Sequence, residues 1–139
     1  MKHILVLGVI LSASLVFGQQ PRQATLAQQK VCADQARKTF HADNVTRPPH
    51  MLVWEYTSHY EPRTNTCYIM THFVTAQEKS VSISFSVYDA IEGRGYASFI
   101  QVGHDVMDCT ISPPGHDTTN CKTSDEFERL VDKNFGIGK

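Results

Sequence analysis

Imidazole and carboxylate side chains are the groups in this sequence most suited to chemistry, and several lie near its C-terminal end. The members of this His/Asp cluster are His104, Asp105, Asp108, His116 and Asp117. If a loop brought them together, they could act as a general acid and base or bind a metal ion. Asp is also a common turn residue, and a polar surface loop would have the same composition. A small enzyme and a polar loop both remain open as interpretations.

Another pair of histidines, His59 and His72, falls in segments that we expect to be neighbouring strands. In the expected pairing His72 lies opposite Glu55 and His59 lies opposite Tyr68, which separates the two imidazoles by about 13 Å along the strands. Zinc holds its ligands at about 2 Å, so this pair is not predicted to form a metal site. We predict no metal site and no cofactor.

The other residues with catalytic potential lie in unsuitable surroundings. Asp89 and Glu92 form a carboxylate pair at an expected hairpin end, where no cleft would separate their pKa values. The serines between Ser80 and Ser86 repeat as one face of a strand, and none has the Gly-x-Ser-x-Gly context of a hydrolase nucleophile. We therefore predict no catalytic residue.

The four cysteines, Cys32, Cys67, Cys109 and Cys121, are interpreted as structural. No two of them form a C-x-x-C motif, which argues against a zinc cage and against a thioredoxin-type redox site. An even number of cysteines in an exported chain is typical of disulfides, and four cysteines allow three pairings. With both pairs oxidised, no thiolate would remain for catalysis.

Residues 1–18 have the features of a cleavable signal peptide. Lys2 provides the positive charge, an apolar run follows, and small residues precede a cleavage site before Gln19. The apolar run is shorter than a membrane-spanning helix, which needs about 20 residues. We predict that residues 19–139 form a single small domain, secreted or periplasmic, with no membrane span after cleavage.

The charge of the chain excludes one class of partner. Removal of the signal would take away only Lys2 among the charged residues, so the formal charge would change from −1 to −2. A nearly neutral chain without a basic stripe is not predicted to bind nucleic acid.

The elements that would position these residues change from a helical to a strand-like pattern along the chain. Residues 25–42 contain no Gly or Pro, and Cys32, Ala36 and Phe40 recur there at helical spacing. Residues 80–88 alternate apolar and polar side chains, as in a strand with one buried face. Three other β-prone runs complete a predicted four-stranded antiparallel meander. Its strands are Met51–Tyr60, Cys67–Thr75, Ser80–Tyr88 and Tyr96–Val102.

A second helix is predicted at the C-terminal end. Thr123 and Glu126 form a capping box, and Phe127, Leu130 and Val131 form the apolar stripe behind it. The predicted fold class is therefore α+β. It consists of an N-terminal helix packed on a four-stranded antiparallel meander, a C-terminal helix and two disulfides.

The expected strand register selects a disulfide pairing. Pairing Tyr60 with Cys67, and Phe73 with Val81, places Cys67 on the apolar face of the sheet together with Trp54 and Tyr56. The N-terminal helix that covers this face presents Cys32, which predicts the bridges Cys32–Cys67 and Cys109–Cys121. By loop-closure entropy these bridges are worth about 4 and about 3 kcal/mol.

The opposite face of the sheet is the predicted partner site. In the expected register it carries a mixture of Tyr, Met, His and Ser, which is typical of a wet contact surface. The residues assigned to binding are Glu55, His59, Tyr68, Met70 and His72. The C-terminal helix or the tail loop would be an alternative cover for part of this face.

Short segments of the chain resemble a group of exported bacterial proteins without assigned function. The segments are 58–60 with 65–67, 88–93 with 96–97, and Cys121 followed by 124–127. The resemblance spans most of the mature chain and implies a bacterial host. None of the segments is a catalytic signature, so the resemblance implies no activity.

The sequence thus favours a non-catalytic exported binding or inhibitor-like module of the cell envelope. Its partner would be an envelope or extracellular protein. The alternative is a small envelope enzyme that uses the His/Asp cluster, and a structural or assembly role is the third hypothesis.

Overall fold

The structure is a computed structural model that describes residues 23–43 and 46–138. The predicted signal peptide, 1–18, and the cleavage site before Gln19 lie outside these residues. Two helices and six strands form in the described chain, in the order α1, β1 to β6, α2. Their bounds are α1 Leu26–Asp43, β1 Met51–Glu61, β2 Thr66–Gln77, β3 Ser80–Asp89, β4 Gly95–Val102, β5 Asp105–Ile111, β6 Thr119–Asn120 and α2 Ser124–Phe135.

The α+β class and both helices are confirmed, but the predicted four-stranded meander is wrong in its number of strands. The sheet contains six antiparallel strands in sequence order, β1-β2-β3-β4-β5-β6. The two additional strands, β5 and β6, lie between the last predicted strand and the C-terminal helix. The sequence of β5 shows no clean alternation because Asp108 interrupts its apolar residues. Its hydrogen bonds to β4 nevertheless extend the sheet.

The first hairpin has the predicted register and the second does not. Tyr60 pairs with Cys67 as expected. Phe73, however, pairs with Ser84 rather than with Val81. The turn between β2 and β3 is tighter than expected, with Gln77 paired directly to Ser80. Because side chains alternate along a strand, this odd shift exchanges the two faces of β3 relative to β2.

Because the faces of β3 are exchanged, apolar side chains lie on both faces of the sheet, and both faces are covered. The serines of β3 lie on the same side as Cys67 and Phe73, whereas Phe85 and Val87 join the side of Tyr68. Each side has its own helix, so the architecture is a three-layer α/sheet/α sandwich.

The helix α1 packs on the first face through a small core. Its buried residues are Cys32, Ala36 and Phe40, as predicted. Phe40 contacts the ring of Tyr56 at 4.6 Å and the ring of Trp54 at 4.9 Å between centroids. The bridge Cys32–Cys67 joins the helix to β2, which confirms the predicted pairing.

The helix α2 packs on the opposite face over a larger core. Phe127 is fully buried and lies 5.7 Å from the ring centroids of both Phe85 and Phe99. The predicted cap is present, since Thr123 Oγ1 accepts a hydrogen bond from the Glu126 backbone N–H at 3.2 Å. The second predicted bridge, Cys109–Cys121, is also confirmed and ties β5 to the segment that leads into this helix.

Candidate binding site

The structure separates the five residues predicted to bind a partner into two groups. Tyr68 is only 2% exposed, so the expectation that it lies on an open face is wrong. Its ring makes edge-on contacts with Tyr96 at 5.5 Å and with Phe135 at 5.1 Å. The covering element is the C-terminal part of α2, which occupies this half of the face.

His59 lies beside Tyr68 under the end of the same helix. A Cβ atom added to Gly136 would be 3.0 Å from His59 Nε2, which shows how closely the imidazole approaches the backbone there. Gly136 has a left-handed φ of 65°, where glycine has no steric penalty, and ends α2. This part of the face is therefore packed rather than open.

The other three predicted residues, Glu55, Met70 and His72, line a cleft. Glu55 and His72 are directly opposite each other on β1 and β2, as predicted. His72 Nδ1 lies 3.0 Å from Glu55 Oε1, and the imidazole is stacked on the ring of Phe85 with centroids 4.3 Å apart. The side chain of Glu55 is 64% exposed and that of His72 is 26% exposed. The hydrogen-bonded pair of Glu55 and His72 thus lies on an aromatic floor and faces solvent.

The cleft has a volume of about 680 Å³ and lies between this part of the sheet and α2. Met70, Phe85 and Ile137 contribute apolar lining. Such a combination of an apolar floor with a few polar groups is typical of a binding site.

The wall formed by α2 is mostly acidic. It presents Asp125, Glu128, Arg129 and Asp132, which recur at the i, i+3, i+4, i+7 spacing of one helical face. With Glu55 on the opposite wall, four carboxylates and one guanidinium line the cleft. The guanidinium of Arg129 lies 4.0 Å from the carboxylate of Glu126. The excess of negative charge favours a cationic ligand.

These acidic residues of α2 were not predicted as part of the site. The sequence did contain a signal for two of them, because Glu128 and Asp132 flank the apolar stripe that contains the buried Phe127 and Val131. A helix that packs on a sheet places the residues flanking its apolar stripe at the border of the contact. The missing information was that α2 packs next to Glu55 and His72.

A second cavity, of about 670 Å³, lies on the other side of the sheet. It is formed between the N-terminal part of α1 and β1, and its lining includes Gln29, Cys32 and Ala33. Across this region the Gln28 side-chain amide donates a hydrogen bond to the hydroxyl of Tyr60 at 3.0 Å. Both cavities thus border β1.

The His/Asp cluster is not gathered at one point. His104 and Asp105 lie at the start of β5, whereas His116 and Asp117 follow its other end. The length of β5 corresponds to about 20 Å between these ends. Asp108, between them, accepts hydrogen bonds from the hydroxyls of Ser98 and Thr110. Within residues 23–43 and 46–138, no group of three or more His, Cys, Asp or Glu side chains is placed to hold a metal ion.

In the carboxylate pair Asp89 and Glu92 at the β3–β4 turn, Asp89 has a structural role. Asp89 is buried, and its Oδ1 accepts hydrogen bonds from the backbone N–H groups of Ile91 and Glu92 at 2.7 and 2.9 Å. The carboxylate therefore stabilises the turn in the manner of an Asx-turn.

Neither helix of the described chain combines the length and the apolar character needed to cross a membrane. Comparison of the chain with family models, with curated proteins and with solved structures finds no match.

Proposed function

We propose that this chain is a non-catalytic, exported binding or inhibitor-like module of the cell envelope, and that the cleft beside α2 holds a cationic segment of an envelope or extracellular protein. The observation that carries the proposal is the cleft itself, in which four carboxylates border an apolar and aromatic floor. Glu55, Met70 and His72, which line this cleft, were assigned to partner binding from the sequence alone.

The two disulfides support a location outside the cytoplasm, because such bridges persist in oxidising compartments. The pattern of residues 1–18 supports export, and the resemblance to short exported proteins supports a bacterial host. Expression in a bacterium should give an exported protein that begins at Gln19. An exported protein that retains Met1, detected by intact mass, would contradict the cleavage.

The experiment that tests the function compares partner capture by the mature protein and by a neutralised variant. Asp125→Asn, Glu128→Gln and Asp132→Asn together remove three negative charges from the cleft and change side-chain size very little. Mature protein is incubated with envelope extract, and the captured proteins are identified by mass spectrometry. We expect the neutralised variant to lose its cationic partner, and we expect added salt to have the same effect.

The matched control removes the same charge elsewhere. Glu78→Gln, Asp105→Asn and Asp117→Asn change three carboxylates outside the lining of the cleft. This control should capture the partner as well as the original protein does. Equal capture by all three proteins would refute the cleft as the binding site, and loss only in the control would point to the C-terminal His/Asp cluster.

A further inference from the structure

The strand β1 forms one end of the sheet. It is 11 residues long, and in the described chain no strand lies beyond it. The opposite end of the sheet is β6, which has only two residues. A long edge strand offers a row of unpaired backbone N–H and C=O groups to another extended chain.

Both cavities border this strand. The cleft beside α2 is lined by three consecutive residues of β1, Glu55, Tyr56 and Thr57. Side chains of consecutive strand residues point to opposite faces, and Tyr56 packs against Phe40 on the other face. The cleft therefore borders the main chain of β1 at Tyr56 as well as the side chains of its neighbours.

The cavity beside α1 borders β1 on the opposite face of the sheet. It is lined by the next three residues, Ser58, His59 and Tyr60. His59 belongs to the face covered by α2, where it lies against Gly136. The two cavities consequently border successive stretches of β1, one on each face of the sheet.

The strand β1 is only partly protected at its edge, by a register shift near Met51 and by the charges of Glu55 and Glu61. It has neither Lys nor Pro, the two residue types that commonly block strand addition. Among the described residues, Arg47 covers the start of the strand, because its guanidinium donates hydrogen bonds to the carbonyl oxygens of Met51 and Leu52 at 2.6 and 2.8 Å. Both cavities border residues beyond this point.

From this geometry we infer that the partner binds as an extended peptide segment that adds to the edge of β1 as a seventh strand. Alternate side chains of the segment point into the cleft beside α2, where a Lys or Arg faces the carboxylates, and the others point into the cavity beside α1. Strand addition of this kind derives its affinity from main-chain hydrogen bonds and its specificity from the side-chain pockets. The inference rests on the proposed function for the charge of the ligand, and it adds the binding mode.

The test uses a capped heptapeptide of alternating Lys and Val as the probe, titrated into the mature protein. Two N-methylated versions remove the backbone N–H either from every Lys or from every Val. In an added strand only every second residue directs its N–H toward β1. One version should therefore bind at least tenfold more weakly than the other, and amides of residues 53–61 should exchange more slowly with the unmethylated peptide bound.

The outcomes separate the binding mode from the charge preference. A heptapeptide of alternating Glu and Val should not bind, and its binding would overturn the cationic cleft of the proposed function. Equal affinity of the two N-methylated peptides, or no binding of the Lys/Val peptide, would overturn strand addition. A protein that is already dimeric, with its β1 amides protected in the absence of peptide, would also overturn it, because a second copy would then occupy the edge.

Discussion

Removal of the Cys32–Cys67 bridge tests the role of α1 most directly. The perturbation is the double substitution Cys32→Ala with Cys67→Ala, which leaves small apolar side chains at both buried positions. The two cysteines are 35 residues apart in the sequence. Loop-closure entropy for this separation predicts a loss of about 4 kcal/mol in the free energy of unfolding. A domain of this size has only about 5–15 kcal/mol in total.

The matched control is the double substitution Cys109→Ala with Cys121→Ala. These cysteines are 12 residues apart, so the same model predicts a smaller loss, about 3 kcal/mol. Chemical denaturation followed by circular dichroism gives both values. We expect the first double variant to have the lower midpoint of unfolding.

The loss of the first bridge should also act locally on α1. Apart from the bridge, the contacts that hold the helix include the Phe40 side chain in the core and the Gln28 hydrogen bond to the Tyr60 hydroxyl. The side chains of Gln35 and Thr39 also donate hydrogen bonds to the carbonyl oxygen of Ala90, at 3.2 and 2.6 Å. We expect amides of residues 26–43 to exchange faster with solvent while those of β2 and β3 stay protected. Unchanged protection of α1, or a larger loss of stability in the control, would refute this reasoning.

Three further substitutions and one control substitution test the core, the end of α2 and the pH dependence. Phe127→Ala should lower the free energy of unfolding by about 3–5 kcal/mol because a fully buried ring is removed. As a control, Met107→Ala at an exposed position should change the free energy of unfolding by less than about 0.5 kcal/mol. An equal loss of stability in the Phe127 and Met107 variants would contradict the packing of α2. Gly136→Ala should cost about 1–2 kcal/mol through its left-handed φ, with added crowding against His59, whereas an unchanged melting temperature would contradict the cap. Burial raises the pKa of the Tyr96 hydroxyl above its usual value, so this hydroxyl ionises at a lower pH in the unfolded chain than in the folded protein. The folded protein therefore loses stability as the pH rises above about 10. Tyr96→Phe should therefore lose less stability between pH 9 and 11 than the original protein, and an equal slope would argue against this effect.

The disulfides and the first hairpin were predictable because local features determine them. The turn between Tyr60 and Cys67 carries Asn65, which adopts a left-handed φ of 54°. Asn tolerates this conformation well, so the hairpin closes where the sequence suggests. The resulting register places Cys67 toward α1, and the bridge to Cys32 follows.

The second hairpin shows why the partner face was only partly predicted. Alternation shows which residues of β3 share a face, but it does not show which face of β2 they join. The serines suggested an open face, although the apolar stripe of α2 also required a surface to pack on. Phe85 forms part of that surface directly opposite His72, which lies in the cleft. Tyr68 is buried because Tyr96 and Phe135, at the C-terminal end of α2, cover it.

The order of the strands has a consequence for how the chain becomes oxidised. Every pair of neighbouring strands is also adjacent in the sequence, so the sheet can assemble through successive local hairpins. The bridge Cys109–Cys121 closes within β5 and the short segment after β6, whereas Cys32–Cys67 must wait until α1 meets the finished first hairpin. The C-terminal bridge should therefore form first during maturation. Until α1 docks, the thiols of Cys32 and Cys67 are the pair that remains exposed and able to form bridges with the wrong cysteines.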